Sequence, residues 1–195
     1  MEKQLVVSHY EQDLFWVSKT PQSLNSIIYD KSNKSQGFIK LENKGREPHT
    51  YIHHIIENYN SLAKWTIFSQ DNPFVHVHDW ESIILGDKNL WEVVATYQQP
   101  GCYFFSNMGV LTSDIEGFPH HPGLPIENLW NNTFEQSCPT HLYFTPSCHF
   151  IIHKDAIHIR TLDFYKNLKN ILETDYASPW AFERYTSYIF NSKYN

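Results

Sequence analysis

The chain opens on a short apolar run, Leu5-Val6-Val7, that turns polar at Ser8-His9-Tyr10. Such a run predicts a buried strand entering a loop. Residues 11–25 carry Leu14, Phe15, Trp16 and Val17, then Pro21, which predicts a short helix followed by a turn. Ile27, Ile28 and Tyr29 predict a second strand ending at Asp30-Lys31, and the polar residues 32–36 predict a loop. The clearest pattern comes next. Ile52, Ile55, Ile56 and Tyr59 fall at i, i+3, i+4 and i+7, one face of a helix. Pro48 suits its first position, where a missing N–H costs nothing, and Glu47 then sits just before it at the positive end. Leu62 and Ala63 close this helix. Trp65-Thr66-Ile67-Phe68 predicts a third strand, ended by Ser69-Gln70-Asp71-Asn72-Pro73.

Strand, helix, strand, helix, strand in residues 1–73 implies a parallel α/β sheet. In open sheets of this kind, ligands bind beyond the carboxyl ends of the strands. Those ends are His9-Tyr10-Glu11, Asp30-Lys31 and Gln70-Asp71, all polar. Residues 74–147 differ. Pro100, Pro119, Pro122, Pro125, Pro139 and Pro146 fall there with several glycines, and the reading is loops with short elements and no long helix. Loops of this length are uncommon in a compact domain unless functional. Regularity returns with strand-like His141-Leu142-Tyr143-Phe144 and residues 148–152. Leu162, Tyr165, Leu168 and Leu172 give a helix face, and Ser178-Pro179 opens a last helix bearing Phe182, Tyr185 and Ile189.

Composition narrows the function classes. With 195 residues, 41% hydrophobic and 18% charged, one real core is expected and global disorder is excluded. A net charge of −6 argues against a nucleic-acid partner, which needs a basic face. Twelve Tyr and six Trp suit either a ring-rich core or surfaces that stack on flat or sugar-like ligands. No run approaches the roughly 18 apolar residues of a membrane span. The N-terminus lacks a secretory pattern, and Cys102, Cys138 and Cys148 are odd in number. Reduced thiols and a cytoplasmic location are therefore expected.

Several residues are candidates for chemistry. Gly45-Arg46-Glu47 precedes a helix N-terminus, which attracts phosphate, and Arg46 adds a fork-shaped donor, although the segment also reads as a plain tight turn. Asp71 at a strand end suits a divalent cation bridging two phosphates, yet Asp71-Asn72-Pro73 is equally a turn signal. His76 and His78, two apart on an expected strand, form a possible transition-metal pair, with His53-His54 and His120-His121 as further imidazoles; this allows a His-cluster metal-dependent hydrolase as one alternative. Complete zinc, phosphate-loop and nucleophile-elbow signatures are absent. Glu183, flanked by aromatics, is a base candidate if it faces a cleft, whereas periodicity alone favours a solvent-facing helix position.

Val6-Val7-Ser8-His9-Tyr10-Glu11-Gln12-Asp13-Leu14-Phe15-Trp16, Ile28-Tyr29-Asp30-Lys31 and Leu41-Glu42-Asn43-Lys44-Gly45-Arg46-Glu47-Pro48-His49-Thr50-Tyr51 resemble the opening blocks of the DUF3431 family. Residues 59–73, Phe150-Ile151-Ile152, Asp163-Phe164-Tyr165 and Phe182-Glu183-Arg184 resemble its later ones. The family is similar to GT-A-type glycosyltransferases. The resemblance implies one GT-A-like, Rossmann-like α/β domain over residues 1–195. Residues 1–73 would form a nucleotide-sugar-binding half, 74–147 a loop-rich acceptor region, and 148–195 a closing strand and helices. It implies transfer of a sugar from a nucleoside-diphosphate sugar to a glycan or other hydroxyl acceptor. His9, Tyr10, Asp30, Lys31, Asn43, Gly45, Arg46 and Glu47 would border the donor. Asp71 would hold Mn²⁺ or Mg²⁺, and Glu183 would act as base. Trp80, Trp91, Phe118 and Trp130 would receive the acceptor. One Asp stands where such folds carry Asp-x-Asp, which also allows a catalytically inactive nucleotide-sugar or glycan binding module.

Overall fold

The computed structural model describes residues 2–85, 101–114 and 121–191. Leu5, Val6 and Val7 form the middle of β1 (Lys3–His9), and all three are fully buried. A strand apolar on both faces needs cover on both, which a parallel sheet flanked by helices provides. The chain continues through α1 (Phe15–Ser18), β2 (Asn25–Asp30), β3 (Ile39–Lys40), α2 (Arg46–Asn58) and β4 (Trp65–Gln70). Val6 of β1 lies opposite Ile27 of β2 on one side and Phe68 of β4 on the other, both in parallel register. β3 extends the parallel set past β2. Beyond β4 the sheet takes in β8 (Phe150–His153), antiparallel, and β5 (Cys102–Phe104) on its far edge. The resulting order, β3-β2-β1-β4-β8-β5, is a mostly parallel mixed sheet. The chain builds outward from β1 to β2 and β3, then returns to the other flank of β1 for β4. That reversal is a topological switch point, where a crevice opens beyond the strand ends.

Strand alternation divides the interior into two cores. Val6, Phe68, Phe150 and Ile152 enter the larger one, with Ile52 and Ile55 of α2. The helices α4 (Ile126–Phe134), α6 (Leu162–Thr174) and α7 (Ser178–Ile189) complete that layer. Leu5, Val7, Ile67 and Ile151 face the opposite way, onto Trp16 of α1 and Trp80 and Ile84 of α3 (Trp80–Leu85). A short α5 (Lys154–Ile157) follows β8, and β6 (Leu111–Asp114) pairs with β7 (His141–Phe144) in a separate antiparallel ribbon.

Three expectations for the middle of the chain change. Residues 74–147 hold a true helix, α4, whose Ile126, Leu129, Trp130 and Thr133 are buried at helical spacing. Pro122 and Pro125 precede it and mark its start. His76 and His78 are not on a strand: Pro73–Val75 is a 3₁₀ turn that His76 caps. Trp80 and Trp130 are fully buried core residues, so neither receives an acceptor, while Trp91 and Phe118 lie outside the described residues.

The cores also enclose imidazoles. His54 Nδ1 accepts from the Tyr29 hydroxyl at 3.0 Å, and His149 Nδ1 lies 3.2 Å from Ser69 Oγ. Burial disfavours the imidazolium, holding His54 down to about 4 and His149 down to about 3. In the unfolded chain both return to the ordinary value near 6.5. The contribution of these two histidines is therefore level at neutral pH and falls from about pH 6.5 towards the folded values, because the unfolded chain binds protons that the native chain refuses. Each histidine contributes a slope of about 1.4 kcal/mol per pH unit in that window. Urea unfolding at pH 7.5, 6 and 5 measures the decline, and His149→Gln reduces the slope by about one proton.

Candidate functional site

The ends of β1, β2 and β4 converge on a cleft of about 410 Å³, lined by Tyr10, Lys31, Asn43, Arg46, Glu47 and Asp71, with Ser8, Glu11, Gln12 and Gln70. It opens at the switch point between β1 and β4. Asp71 follows β4 directly. Its Oδ2 accepts the backbone N–H groups of Tyr10, Glu11 and Gln12 at 2.8, 3.3 and 3.2 Å. Its carbonyl accepts the Trp16 indole N–H at 2.9 Å. The residue expected as a metal ligand thus clamps the loop after β1, and Oδ1 takes none of those three bonds.

Lys31 and the start of α2 build the opposite wall. The Lys31 ammonium donates to the carbonyls of Lys44 and Arg46, fixing the loop before the helix. Burial holds Lys31 down to about 7, against the opposite pull of Glu47 and Glu173. Helix α2 begins at Arg46, two residues earlier than Pro48 suggests, and Pro48 is still within the first turn, where backbone donors lack partners. Gly45 and Arg46 both have left-handed backbone, with φ of 55° and 50°. A Cβ on Gly45 would stand 2.6 Å from the Leu172 carbonyl oxygen and 2.8 Å from His49 Cβ, so only glycine lets α2 dock this closely on α6. Arg46 is not glycine and carries left-handed strain, which aims its guanidinium across the Trp180 ring at 5.4 Å. Its side chain remains 58% exposed, with Nε 3.5 Å from Glu47 Oε2. Glu47 in turn accepts from Gln70 Nε2 at 3.1 Å, joining α2 to β4 across the cleft.

Glu183 faces inward and not to solvent. It accepts the backbone N–H of Ser147 at 2.6 Å, from a residue with φ of 72°. Burial raises its pKa, the Ser147 N–H and Arg184 oppose this, and Glu47 adds to the rise. Glu47 and Glu183 are therefore within electrostatic reach of each other, although Glu183 stands behind the cleft lining.

Residues 5–195 match the family described as "Protein of unknown function (DUF3431)". The chain belongs to the DUF3431 family. No curated protein and no solved structure matches it. Within this DUF3431 chain, the structure brings Tyr10, Lys31, Asn43, Arg46, Glu47 and Asp71 to one cleft, with Gly45 supporting it. It does not bring Asp30 there, and His9 is outside the lining although its Nδ1 lies 3.4 Å from Asp71 Oδ2. Asp30 is fully buried and accepts from Ser32 N, Ser32 Oγ, Ser35 N and Lys40 Nζ at 2.9, 2.6, 3.1 and 2.5 Å. Burial alone would raise its carboxyl, but these donors hold it well below the usual carboxylate range. Asp30 anchors the 32–40 loop, and His9 bonds Ser35 Oγ in the same loop at 3.2 Å. Gln70 belongs to a strand end named from the sequence, while Ser8 and Gln12 line the cleft one residue to either side of the end His9-Tyr10-Glu11.

Among the described residues no group of three or more His, Cys, Asp or Glu side chains is arranged to hold a metal. The Asp71 oxygen nearest the loop already faces three N–H dipoles, whose positive ends oppose a cation.

Three outcomes follow. Gly45→Ala lowers stability by about 2–4 kcal/mol in urea unfolding, from left-handed strain plus the Leu172 clash. Gly37→Ala, at φ of 85° with nothing within 4 Å of the new Cβ, isolates the strain and costs about 1–2 kcal/mol. Asp71→Ala strands three N–H donors, costs about 3 kcal/mol or more, and exposes residues 10–14 to limited proteolysis.

Proposed function

We propose that this DUF3431 chain is a nucleotide-sugar-dependent glycosyltransferase with a GT-A-like arrangement. The observation that carries the reading is a cleft at a parallel-sheet switch point, with Lys31, Asn43, Arg46 and Glu47 on one wall and Asp71 on the other. Glycosyl transfer breaks the bond from the anomeric carbon to phosphate oxygen, and the electron pair leaves on the nucleoside diphosphate. A new bond forms from the acceptor hydroxyl oxygen to that carbon, and the hydroxyl proton goes to a base. The developing diphosphate charge needs fixed cationic donors. Arg46 offers a planar fork. A charged Lys31 has three N–H donors, of which two are already given to carbonyls. A diphosphate beside it favours the charged form and raises its lowered pKa. Glu183, with its carboxyl raised by burial, is the base. No step is routed through a metal ion.

A second reading draws support from Asp71, whose Oδ2 is committed to the loop after β1. It is a sugar-nucleotide binding module that uses the same cleft without turnover. The His-cluster hydrolase has no corresponding support, because the strand that would align His76 and His78 is absent.

Thermal unfolding with UDP, GDP and ADP, each with and without Mn²⁺, tests the cleft. A nucleoside diphosphate at one hundred times its Kd stabilises the fold by about 2.7 kcal/mol. Arg46→Ala, at an exposed side chain, weakens that binding about tenfold without lowering the stability of the free protein. Diphosphate release from UDP- or GDP-sugars, lost in Glu183→Gln, supports transfer. Stabilisation without release supports the binding module. No stabilisation by any of the three nucleotides sinks both.

A further inference from the structure

Arg46 borders two cavities. Besides the cleft it lines a second one of about 340 Å³, bordered by Lys44, Gly45, Arg46, Glu173, Tyr176 and Trp180. A volume of this size falls at the lower end of the range for small-ligand sites. Tyr176 lies in the turn between α6 and α7 and is 88% exposed, the most exposed large ring among the described residues. The turn that carries it is built, not frayed. Asp175 Oδ1 accepts the N–H groups of Ala177 and Ser178 at 2.8 and 3.0 Å, and Ser178 Oγ donates to the Asp175 carbonyl at 2.6 Å. The Tyr176 and Trp180 rings lie 5.2 Å apart at 58°, forming an angled wall, and the His121 ring braces Trp180 at 5.0 Å.

The wall and its rim match one ligand chemistry. A sugar ring presents a C–H face that packs on an aromatic ring, and a circumference of hydroxyls that needs donors and acceptors. Around these rings the cavity is bordered by Glu173, whose Oε1 pairs with His49 and Lys169, by Thr174, whose hydroxyl donates to the Asn170 carbonyl and can still accept, and by Lys44, which pairs with Glu42. Because Arg46 lines both cavities, a molecule here and a molecule in the cleft share that side chain as a common border.

We propose that this cavity is the acceptor subsite, taking a neutral sugar ring stacked against Tyr176 and Trp180 with one hydroxyl directed past Arg46 into the cleft. The assignment to an acceptor rests on the glycosyl-transfer reading; the sugar-binding chemistry does not. Saturation-transfer difference NMR on the full chain is the test, with the methyl glycosides of glucose, galactose, mannose and rhamnose as probes. At least one glycoside gives signal from its ring protons, and Tyr176→Ala lowers that signal about fivefold. Tyr176→Phe retains it, because the ring face is kept. Trp180→Ala also lowers it, but Tyr176→Ala decides the matter, since so exposed a side chain can be removed without unfolding the protein. Stabilisation by UDP or GDP is unchanged in Tyr176→Ala, which lies outside the cleft lining. The proposal is overturned by silence from all four glycosides, by equal signal in Tyr176→Ala, or by displacement of the glycoside by uridine or guanosine, which would make the wall a nucleobase platform. Glycoside binding at Tyr176 with no nucleoside diphosphate binding anywhere upholds the sugar site and overturns the transfer reading instead.

Discussion

Asp71 Oδ2 gathers the backbone N–H groups of Tyr10, Glu11 and Gln12, and this ties the loop after β1 to the end of β4. The two strands are neighbours across the switch point, so the bond set defines one lip of the cleft. Charge-assisted bonds to an ionised acceptor are among the stronger hydrogen bonds, and a loop turning at a strand end has few other partners for its donors. The Trp16 indole adds a second tie to the same residue and carries it into the smaller core. Everything that lines the cleft from the β1 side is positioned by this carboxylate.

The other lip is set by a comparable device of opposite sign. Lys31 is buried at the end of β2 and holds two carbonyls of the loop before α2. Gly45 allows that loop to press against α6, and its left-handed backbone hands strain to Arg46. The guanidinium is consequently displayed between the two cavities and not packed away. A buried cation and a buried anion, each committed to backbone, thus frame a polar space whose remaining groups are free for chemistry. Such groups are tolerated because their bonds are made, and they fix one geometry where an apolar rim would slide.

Much of this architecture is legible in the sequence because it is local. The apolar run at Leu5-Val6-Val7, the helical spacing of Ile52, Ile55 and Ile56, and the polar strand ends are patterns within ten residues, and β1, α2, β4 and the cleft follow from them. The α4 helix was obscured by its flanking prolines, which punctuate a helix start as readily as a loop. Asp30 and His9 have the residue types of a ligand site, yet they serve the 32–40 loop, because a carboxylate or imidazole can bond backbone and neighbouring side chains as well as substrate. Glu183 shows the reverse. Its periodicity reads as surface, and the left-handed Ser147 supplies an interior partner that no spacing announces.

By itself, then, the sequence determined β1, β2, α2, β4 and the two closing helices, the parallel order of the first half, and the polar character of the strand ends. These depend on side-chain periodicity and on backbone rules that act over a few residues. The tertiary structure decided which polar side chains are committed to the backbone and which face open space. Asp71 meets residue 10 across 61 positions of chain, and Ser147 meets Glu183 across 36. Partnerships at such separations arise from the stacking of layers around a common sheet, and only the folded arrangement of those layers brings the partners within bonding distance.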